Sequence, residues 1–74
     1  MDKTIFGQRL LTLRTNQNLS QLALAQALGL RNSTISMIES GQRAASVDTL
    51  IALADYFDVS LDYLVGRSDN PQRG

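Results

Sequence analysis

The chain has 74 residues, of which 43% are hydrophobic and 19% are charged, a composition typical of one small folded domain. It contains neither cysteine nor histidine, which excludes disulfides, thiolate nucleophiles, the commonest zinc ligands and the commonest general base. No apolar run approaches the roughly 18 residues of a membrane span and no signal-peptide pattern opens the chain, so we expect a cytoplasmic protein without membrane contact.

The net charge is zero, but the charges are divided unevenly along the chain. Residues 1–45 carry five basic and two acidic side chains, whereas residues 46–74 carry two basic and five acidic ones. A chain divided in this way can turn its basic half towards phosphate groups and its acidic half away from them. The net charge of zero argues against a nucleic-acid partner, because nucleic-acid-binding domains are usually basic.

Apolar spacing and helix-ending residues predict five helices and no strand, so the predicted fold class is all-α. The first predicted helix spans about residues 5–16. Its inward face carries Phe6, Leu10 and Leu13 at helical spacing. Gly7 also lies in this helix, where glycine weakens the helix by roughly 1 kcal/mol relative to alanine.

Two short helices follow, separated by three residues. The earlier one begins after Ser20, a plausible N-cap, and ends at Gly29, where a left-handed backbone is favoured. The later one spans about residues 32–40 and buries Ile35 and Ile38. Two short helices joined by a turn that contains glycine are typical of a helix-turn-helix, whose second helix fits the major groove of DNA.

A fourth helix and a short fifth helix complete the predicted fold. Each is preceded by a serine suited to an N-cap: Ser46 and Ser60. In the fifth helix we expect Leu61 and Leu64 to face inward. The polar segment 68–74 is predicted to be a flexible tail, which leaves residues 1–67 as the folded domain.

Several motifs fall in one register along the predicted helices, between Phe6 and Gly66. They are Leu19-Ser20-Gln21, Leu24-Ala25, Leu28-Gly29, the run from Ser33 to Gly41, Thr49-Leu50 and the run from Val59 to Gly66. Together they resemble the Cro/C1-type (XRE) family of phage and bacterial repressors. This resemblance implies a compact five-helix, lambda-repressor-like domain that binds double-stranded operator DNA, usually as a homodimer, with the second and third helices as the helix-turn-helix.

The resemblance also implies roles for individual residues. The positions that correspond to base-reading residues are Asn32, Ser33, Ser36 and Met37. The positions that correspond to phosphate or flanking contacts are Ser20, Gln21, Arg31, Thr34, Ser40, Gln42 and Arg43. The family residue that corresponds to Gln21 also braces the recognition helix. A structural ion pair that joins the first helix to the third is implied for Arg14 and Glu39. For the dimer surface we favour the fifth helix and the residues after it, with Tyr63 and Val65 as candidates.

Two residues depart from the family pattern. Arg31 stands where serine or threonine often caps the recognition helix, so either Asn32 takes the cap or the cap is weak; Arg31 could instead reach guanine or phosphate. Met37 replaces what is often a long polar side chain. The resulting surface suits thymine methyl groups and DNA shape as much as paired hydrogen bonds, so we expect moderate specificity in each half-site.

The sequence favours a repressor but leaves other functions open. An antitoxin or a restriction-modification controller would have the same fold. A protein-interaction module that no longer binds DNA would fit the zero net charge and the short base-reading side chains. We expect no enzymatic activity, metal, cofactor or small-molecule ligand. Leu11 and Leu22 are expected to be exposed, and they would form a partner surface only if they were adjacent in space.

Overall fold

A computed structural model of the protein describes residues 1–73, and five α-helices form in this range. They are α1 (Lys3–Asn16), α2 (Gln21–Leu28), α3 (Asn32–Glu39), α4 (Val47–Phe57) and α5 (Leu61–Leu64). The described range contains no strand. The predicted all-α, five-helix fold is therefore confirmed. Gly74, the last residue of the predicted tail, lies outside the described residues.

Side-chain caps define the beginning of four of these helices. The Asp2 carboxylate accepts hydrogen bonds from the backbone N–H groups of Thr4 and Ile5, so α1 begins two residues earlier than predicted. The three predicted serine caps are confirmed, and each accepts a hydrogen bond from the N–H three residues later: Ser20, Ser46 and Ser60. Gly29 ends α2 with a φ of 67°, as its left-handed preference predicted.

One cluster of apolar side chains, to which all five helices contribute, forms the core. Its largest fully buried members are Phe6, Leu10, Leu24, Ile35, Ile38, Leu53 and Leu64. Burying each such side chain stabilises the fold by about 1.5–3 kcal/mol. The inward orientation predicted for Leu61 is wrong: its side chain is 41% exposed, because α5 is only four residues long and contacts the core through its C-terminal end, at Leu64.

The helices α1 and α3 pack closely at Gly7. This glycine is buried, and a Cβ added to it would lie 2.4 Å from the backbone oxygen of Ile38 and 2.8 Å from that of Glu39. From the sequence, Gly7 is only a weak point in the first helix. In the structure, the absence of a side chain is what allows the two backbones to come together.

After α5 the chain folds back towards the end of α4. The backbone N–H of Ser60 donates to the carbonyl of Pro71 at 2.9 Å. Arg73 donates to the Asp55 carboxylate at 2.6 Å, and this hydrogen bond raises the pKa of Arg73. These contacts join residues 68–73 to the body of the domain, while the domain boundary at residue 67 stays a prediction.

Candidate nucleic-acid interface

The pair α2 and α3 forms the predicted helix-turn-helix. Residues 29–31 connect the two helices, and both pack on the shared core. The backbone N–H of Leu30 donates to the carbonyl of Ala25 at 2.8 Å, which closes the end of α2 immediately after the left-handed Gly29. This short, hydrogen-bonded turn fixes the direction in which α3 leaves α2.

The helix α3 has one face in the core and one in solvent. Ile35 and Ile38 are fully buried. All four predicted base-reading residues are exposed, and their spacing places them on one face: Asn32, Ser33, Ser36 and Met37. Thr34, assigned to the flank, is half-buried. An α-helix with its side chains is about 10–12 Å in diameter, which matches the roughly 12 Å width of the major groove.

The beginning of α3 lacks a side-chain cap. Arg31 occupies the N-cap position and its side chain makes no capping hydrogen bond, whereas Asn32 is the first residue inside the helix. Of the two alternatives left open by the sequence, the weak cap is therefore the one that occurs. The Arg31 side chain is exposed and forms no ion pair within residues 1–73, so its charge faces solvent beside the exposed face of α3.

The predicted flanking residues lie at the two ends of the helix-turn-helix. Gln42 and Arg43 follow α3 and are exposed, and no salt bridge involves Arg43 in the described part of the chain. The Ser40 hydroxyl donates to the carbonyl of Met37 at 3.1 Å. The exposed Ser20 hydroxyl accepts from a backbone N–H at the beginning of α2. Arg31 before α3 and Arg43 after it are therefore exposed cations that form no ion pair within the described residues.

A polar network joins α1, α2 and α3 beneath this surface. Arg14 donates from Nε to Oε2 of Glu39 at 2.6 Å and from Nη2 to Oε1 at 2.9 Å, while its Nη1 donates to the Leu19 carbonyl at 2.7 Å. Gln21 donates from Nε2 to the same Glu39 Oε1 at 2.9 Å. The side chains of Arg14 and Glu39 are only 12% and 5% exposed. Glu39, at the end of α3, is thereby held by the two preceding helices.

The ionisation of Arg14 is stabilised by this network. Its hydrogen bond to Glu39 raises the pKa of Arg14, against the opposing effect of burial, and the negative charge of Glu39 raises it further. The guanidinium therefore stays charged in its largely buried position. Removing either partner would leave the other with an unpaired buried charge, which is far more costly than losing an exposed ion pair.

Sequence reasoning did not identify two features of this site. The resemblance implies that Gln21 braces the recognition helix, but its partner Glu39 lies 18 positions away and the sequence contains no spacing signal for this contact. The close approach at Gly7 brings α1 against the last residues of α3, and it too depends on tertiary packing. Both features concern how α3 is held, whereas the residues that α3 exposes could be read from its helical spacing.

The two candidate dimer residues are both half-buried. The guanidinium of Arg9 lies over the ring of Tyr63, with its central carbon 4.2 Å from the ring centroid. Arg9 also donates to the backbone carbonyls of Tyr63 and Ser68, and it forms an ion pair with Asp69 at 2.8 Å. One face of the Tyr63 ring is therefore covered from within the chain, while Val65 has no such partner among these contacts.

Exposed apolar side chains occur at expected and unexpected places. Leu11 and Leu22 are exposed, as predicted, to 41% and 54%. The helix α4 also exposes Val47 and Ile51, which are four residues apart and lie on one helical face. Sequence analysis did not single out this pair, because both residues fit the apolar composition of a buried helix.

Other kinds of site are not formed by the described residues. Residues 1–73 contain no group of three or more acidic residues placed to hold a metal ion. None of the helices in this range has the length and apolar character needed to cross a membrane.

Comparison with known proteins agrees with this geometry. A helix-turn-helix family model matches residues 10–64. The chain belongs to this family, in the Cro/C1-type (XRE) group that its motifs resemble.

The HTH-type transcriptional regulator AnsR of Bacillus subtilis is 42% identical over 64 residues, which cover 86% of this chain and 55% of AnsR. The HTH-type transcriptional regulator PrpR of Mycobacterium tuberculosis is 40% identical over 67 residues, or 90% of this chain and 14% of PrpR. The chain thus spans about half of one relative and about a seventh of the other.

Two solved structures share the fold. The restriction-modification controller protein C.AhdI from Aeromonas hydrophila has 41% sequence identity and a TM-score of 0.77, over 85% of this chain and 96% of that chain. The DNA-binding domain of BldD from S. venezulae has 28% identity and a TM-score of 0.72, over 85% of this chain and 94% of that chain.

Proposed function

We propose that this protein is a transcriptional regulator that binds double-stranded DNA sequence-specifically, with α3 in the major groove. The observation that carries the proposal is the two-sided character of α3. Ile35 and Ile38 fix the helix in the core, while its opposite face exposes the polar residues and the methionine assigned to base reading. The relatives AnsR and PrpR are themselves transcriptional regulators.

The exposed side chains of α3 would read bases in two chemical ways. Asn32 can pair with both hydrogen-bonding groups of an adenine edge, and the hydroxyls of Ser33 and Ser36 can donate to or accept from any base. Met37, which is 39% exposed, offers an apolar surface for a thymine methyl group. Most of these side chains are short, so we expect DNA shape to contribute to recognition alongside direct contacts.

Phosphate contacts would fix the register of the protein on the duplex. Arg31 and Arg43 stand at the two ends of α3 with exposed side chains, and Gln42 lies beside Arg43. The first turn of α2 presents backbone N–H groups beside Ser20 and Gln21, and such helix ends favour anions. Half-buried Thr34 and exposed Ser40 complete the set of flanking contacts.

We further propose that the protein binds an inverted repeat as a homodimer and acts as a repressor in the cytoplasm. Half-sites about 34 Å apart place two recognition helices in successive major grooves on one face of DNA. We keep the end of α5 as the dimer surface and expect Val65 to contribute more than Tyr63, whose ring is covered by Arg9. DNA occupancy needs no catalytic group, so we propose no enzymatic activity.

Selection of binding sites from a random duplex library tests this function. We expect enrichment of an inverted repeat. Its affinity should fall steeply with salt, because each neutralised phosphate contributes about 0.9 to the slope of log affinity against log salt. A library that yields no enriched motif would contradict the proposal and favour the interaction module.

A restriction-modification controller is the second candidate, since the similarity to C.AhdI extends over 96% of that structure. A promoter fusion that carries the selected motif separates the two roles. A repressor lowers reporter output whenever it is expressed. A controller that activates transcription would instead raise reporter output. No observation on this chain favours the antitoxin alternative.

A further inference from the structure

The contact between Gly7 and the end of α3 leaves no room for a side chain. The two atoms that a Cβ would meet, at 2.4 and 2.8 Å, are the backbone oxygens of Ile38 and Glu39. Backbone atoms cannot rotate aside as the end of a side chain can. The Ile38 oxygen also accepts a hydrogen bond from the Gly41 N–H at 3.1 Å, which further restricts it.

A second contact from α1 holds the same end of α3. Arg14 lies seven residues, or about two helical turns, after Gly7, so both residues are on one face of α1. Arg14 binds the Glu39 side chain through two hydrogen bonds, and Gly7 packs against the Glu39 backbone. The ion pair draws α3 towards α1, and the size of residue 7 limits how closely the two helices approach.

We propose that Gly7 is a positioning residue for DNA recognition: by setting the distance between α1 and α3, it sets how far the base-reading face of α3 stands from the core. This inference rests on the proposed function, because it assigns Gly7 to the same DNA-binding surface. Gly7 itself is buried in the contact between α1 and α3, so we expect it to act on DNA binding only through the position of α3.

The expected effect of a side chain at this position is geometric. An ordinary contact between a carbon and a carbonyl oxygen is about 3.4 Å, so a Cβ now 2.4 Å from the Ile38 oxygen must displace α3 by about 1 Å. Recognition groups need placement within about 0.5 Å, whereas attraction between arginine and phosphate changes slowly with distance. Discrimination between sequences should therefore fall more than affinity for DNA in general.

The test compares Gly7→Ala with Val59→Ala. Val59 is buried in the connection between α4 and α5, outside the helix-turn-helix and outside α1. Removing its two methyl groups lowers the stability of the core without adding an atom between α1 and α3, so this variant controls for lost stability. Affinities are measured for the duplex selected by the wild-type chain and for a shuffled duplex of the same composition, at a temperature where each variant is folded by circular dichroism.

For Gly7→Ala we expect the ratio of the two affinities to fall about tenfold or more, the discrimination carried by one good base contact. Val59→Ala should keep the wild-type ratio. In crystal structures of the two variants, α3 should be displaced from α1 in Gly7→Ala and should keep its wild-type position in the control. An unchanged affinity ratio in Gly7→Ala, or an α3 that has not moved, overturns the proposal.

Failure of the proposed function can be distinguished from failure of this inference. A wild-type chain that selects no duplex overturns the proposed function and the DNA-binding part of this inference, whereas a selected duplex with an unchanged Gly7→Ala ratio overturns this inference alone. If Gly7→Ala does not fold, it is combined in one chain with Asn18→Gly and Asp58→Gly. These two substitutions should stabilise the fold, because they place glycine at positions of positive φ. Failure to fold in that background as well assigns Gly7 to folding alone and overturns the proposal.

Discussion

The two halves of the molecule use their arginines differently. In residues 1–45, Arg14 is largely buried in a network across three helices, while Arg31 and Arg43 are exposed and form no ion pair within the described residues. In residues 46–73, Arg73 is paired with exposed carboxylates at the end of α4. Arg9, also in the N-terminal half, binds α5 and the residues after it. The N-terminal half therefore has arginines that hold the fold together and arginines left free beside α3, and the net charge of zero conceals this division.

The largest expected effect follows from breaking the buried network. Arg14→Met should lower the free energy of unfolding by about 3–5 kcal/mol, because it leaves the Glu39 carboxylate unpaired where its side chain is only 5% exposed. Urea denaturation measures this change. Arg73→Met removes an exposed pair and is the matched control, expected to have little effect. Equal losses in the two variants would contradict the comparison.

The pH dependence of this contribution follows from the raised pKa of Arg14. A group whose pKa is higher in the folded state stabilises the fold fully below its unfolded pKa, and it loses this effect as pH rises through the folded value. Arg14 therefore stays charged between pH 7 and pH 10. Its titration should not reduce the difference in unfolding free energy between wild type and Arg14→Met over this range, as measured by urea denaturation.

A smaller effect is expected on DNA affinity when a free cation is removed. Arg43→Gln should weaken binding to every duplex by about tenfold, a typical contribution of a charged hydrogen bond, and reduce the salt slope by about 0.9. Fluorescence anisotropy over a range of salt concentrations measures both quantities. Arg67→Gln, which removes an exposed arginine from the acidic half, should leave both unchanged. A loss confined to the selected motif would assign Arg43 to base reading instead.

Specificity should respond to Met37 with a smaller change. Met37→Ala should lower discrimination at one or two base pairs by about 1 kcal/mol and leave binding to shuffled duplexes unchanged. Competition against single-base variants of the selected motif measures this. Ile51→Ala removes a similarly exposed apolar side chain from α4. This control should change neither the discrimination between base pairs nor the affinity for shuffled duplexes. A uniform loss across all duplexes for Met37→Ala would contradict the proposed division of roles.

The smallest expected effect has opposite signs in two assays. Arg31→Ser supplies the missing cap of α3 and should raise the free energy of unfolding by about 0.5–1 kcal/mol. The same substitution removes a cation and should weaken DNA binding. Thermal unfolding and anisotropy measure the two responses. A gain in both, or a loss in both, would show that Arg31 does not exchange helix stability for a DNA contact.

The accuracy of the sequence analysis differs between local and tertiary features. Serine caps and the left-handed Gly29 were predicted correctly, because each acts within a few residues of its own position. The inward position of Leu61 was wrong, since helical spacing does not tell which end of a four-residue helix meets the core. The exposed face of α3 could be derived from spacing, but its supports at Gly7 and Gln21 depend on how helices pack. The roles assigned to the exposed residues stay predictions.

The network around Glu39 also bears on the kinetics of the fold. Its partners are 25 and 18 residues away in sequence, on α1 and at the beginning of α2, so it completes only after all three helices have docked. Interactions formed after the folding transition state mainly slow unfolding. We therefore expect Arg14→Met to accelerate unfolding and leave the folding rate nearly unchanged. The ion pair would then determine how long the base-reading conformation survives between opening events.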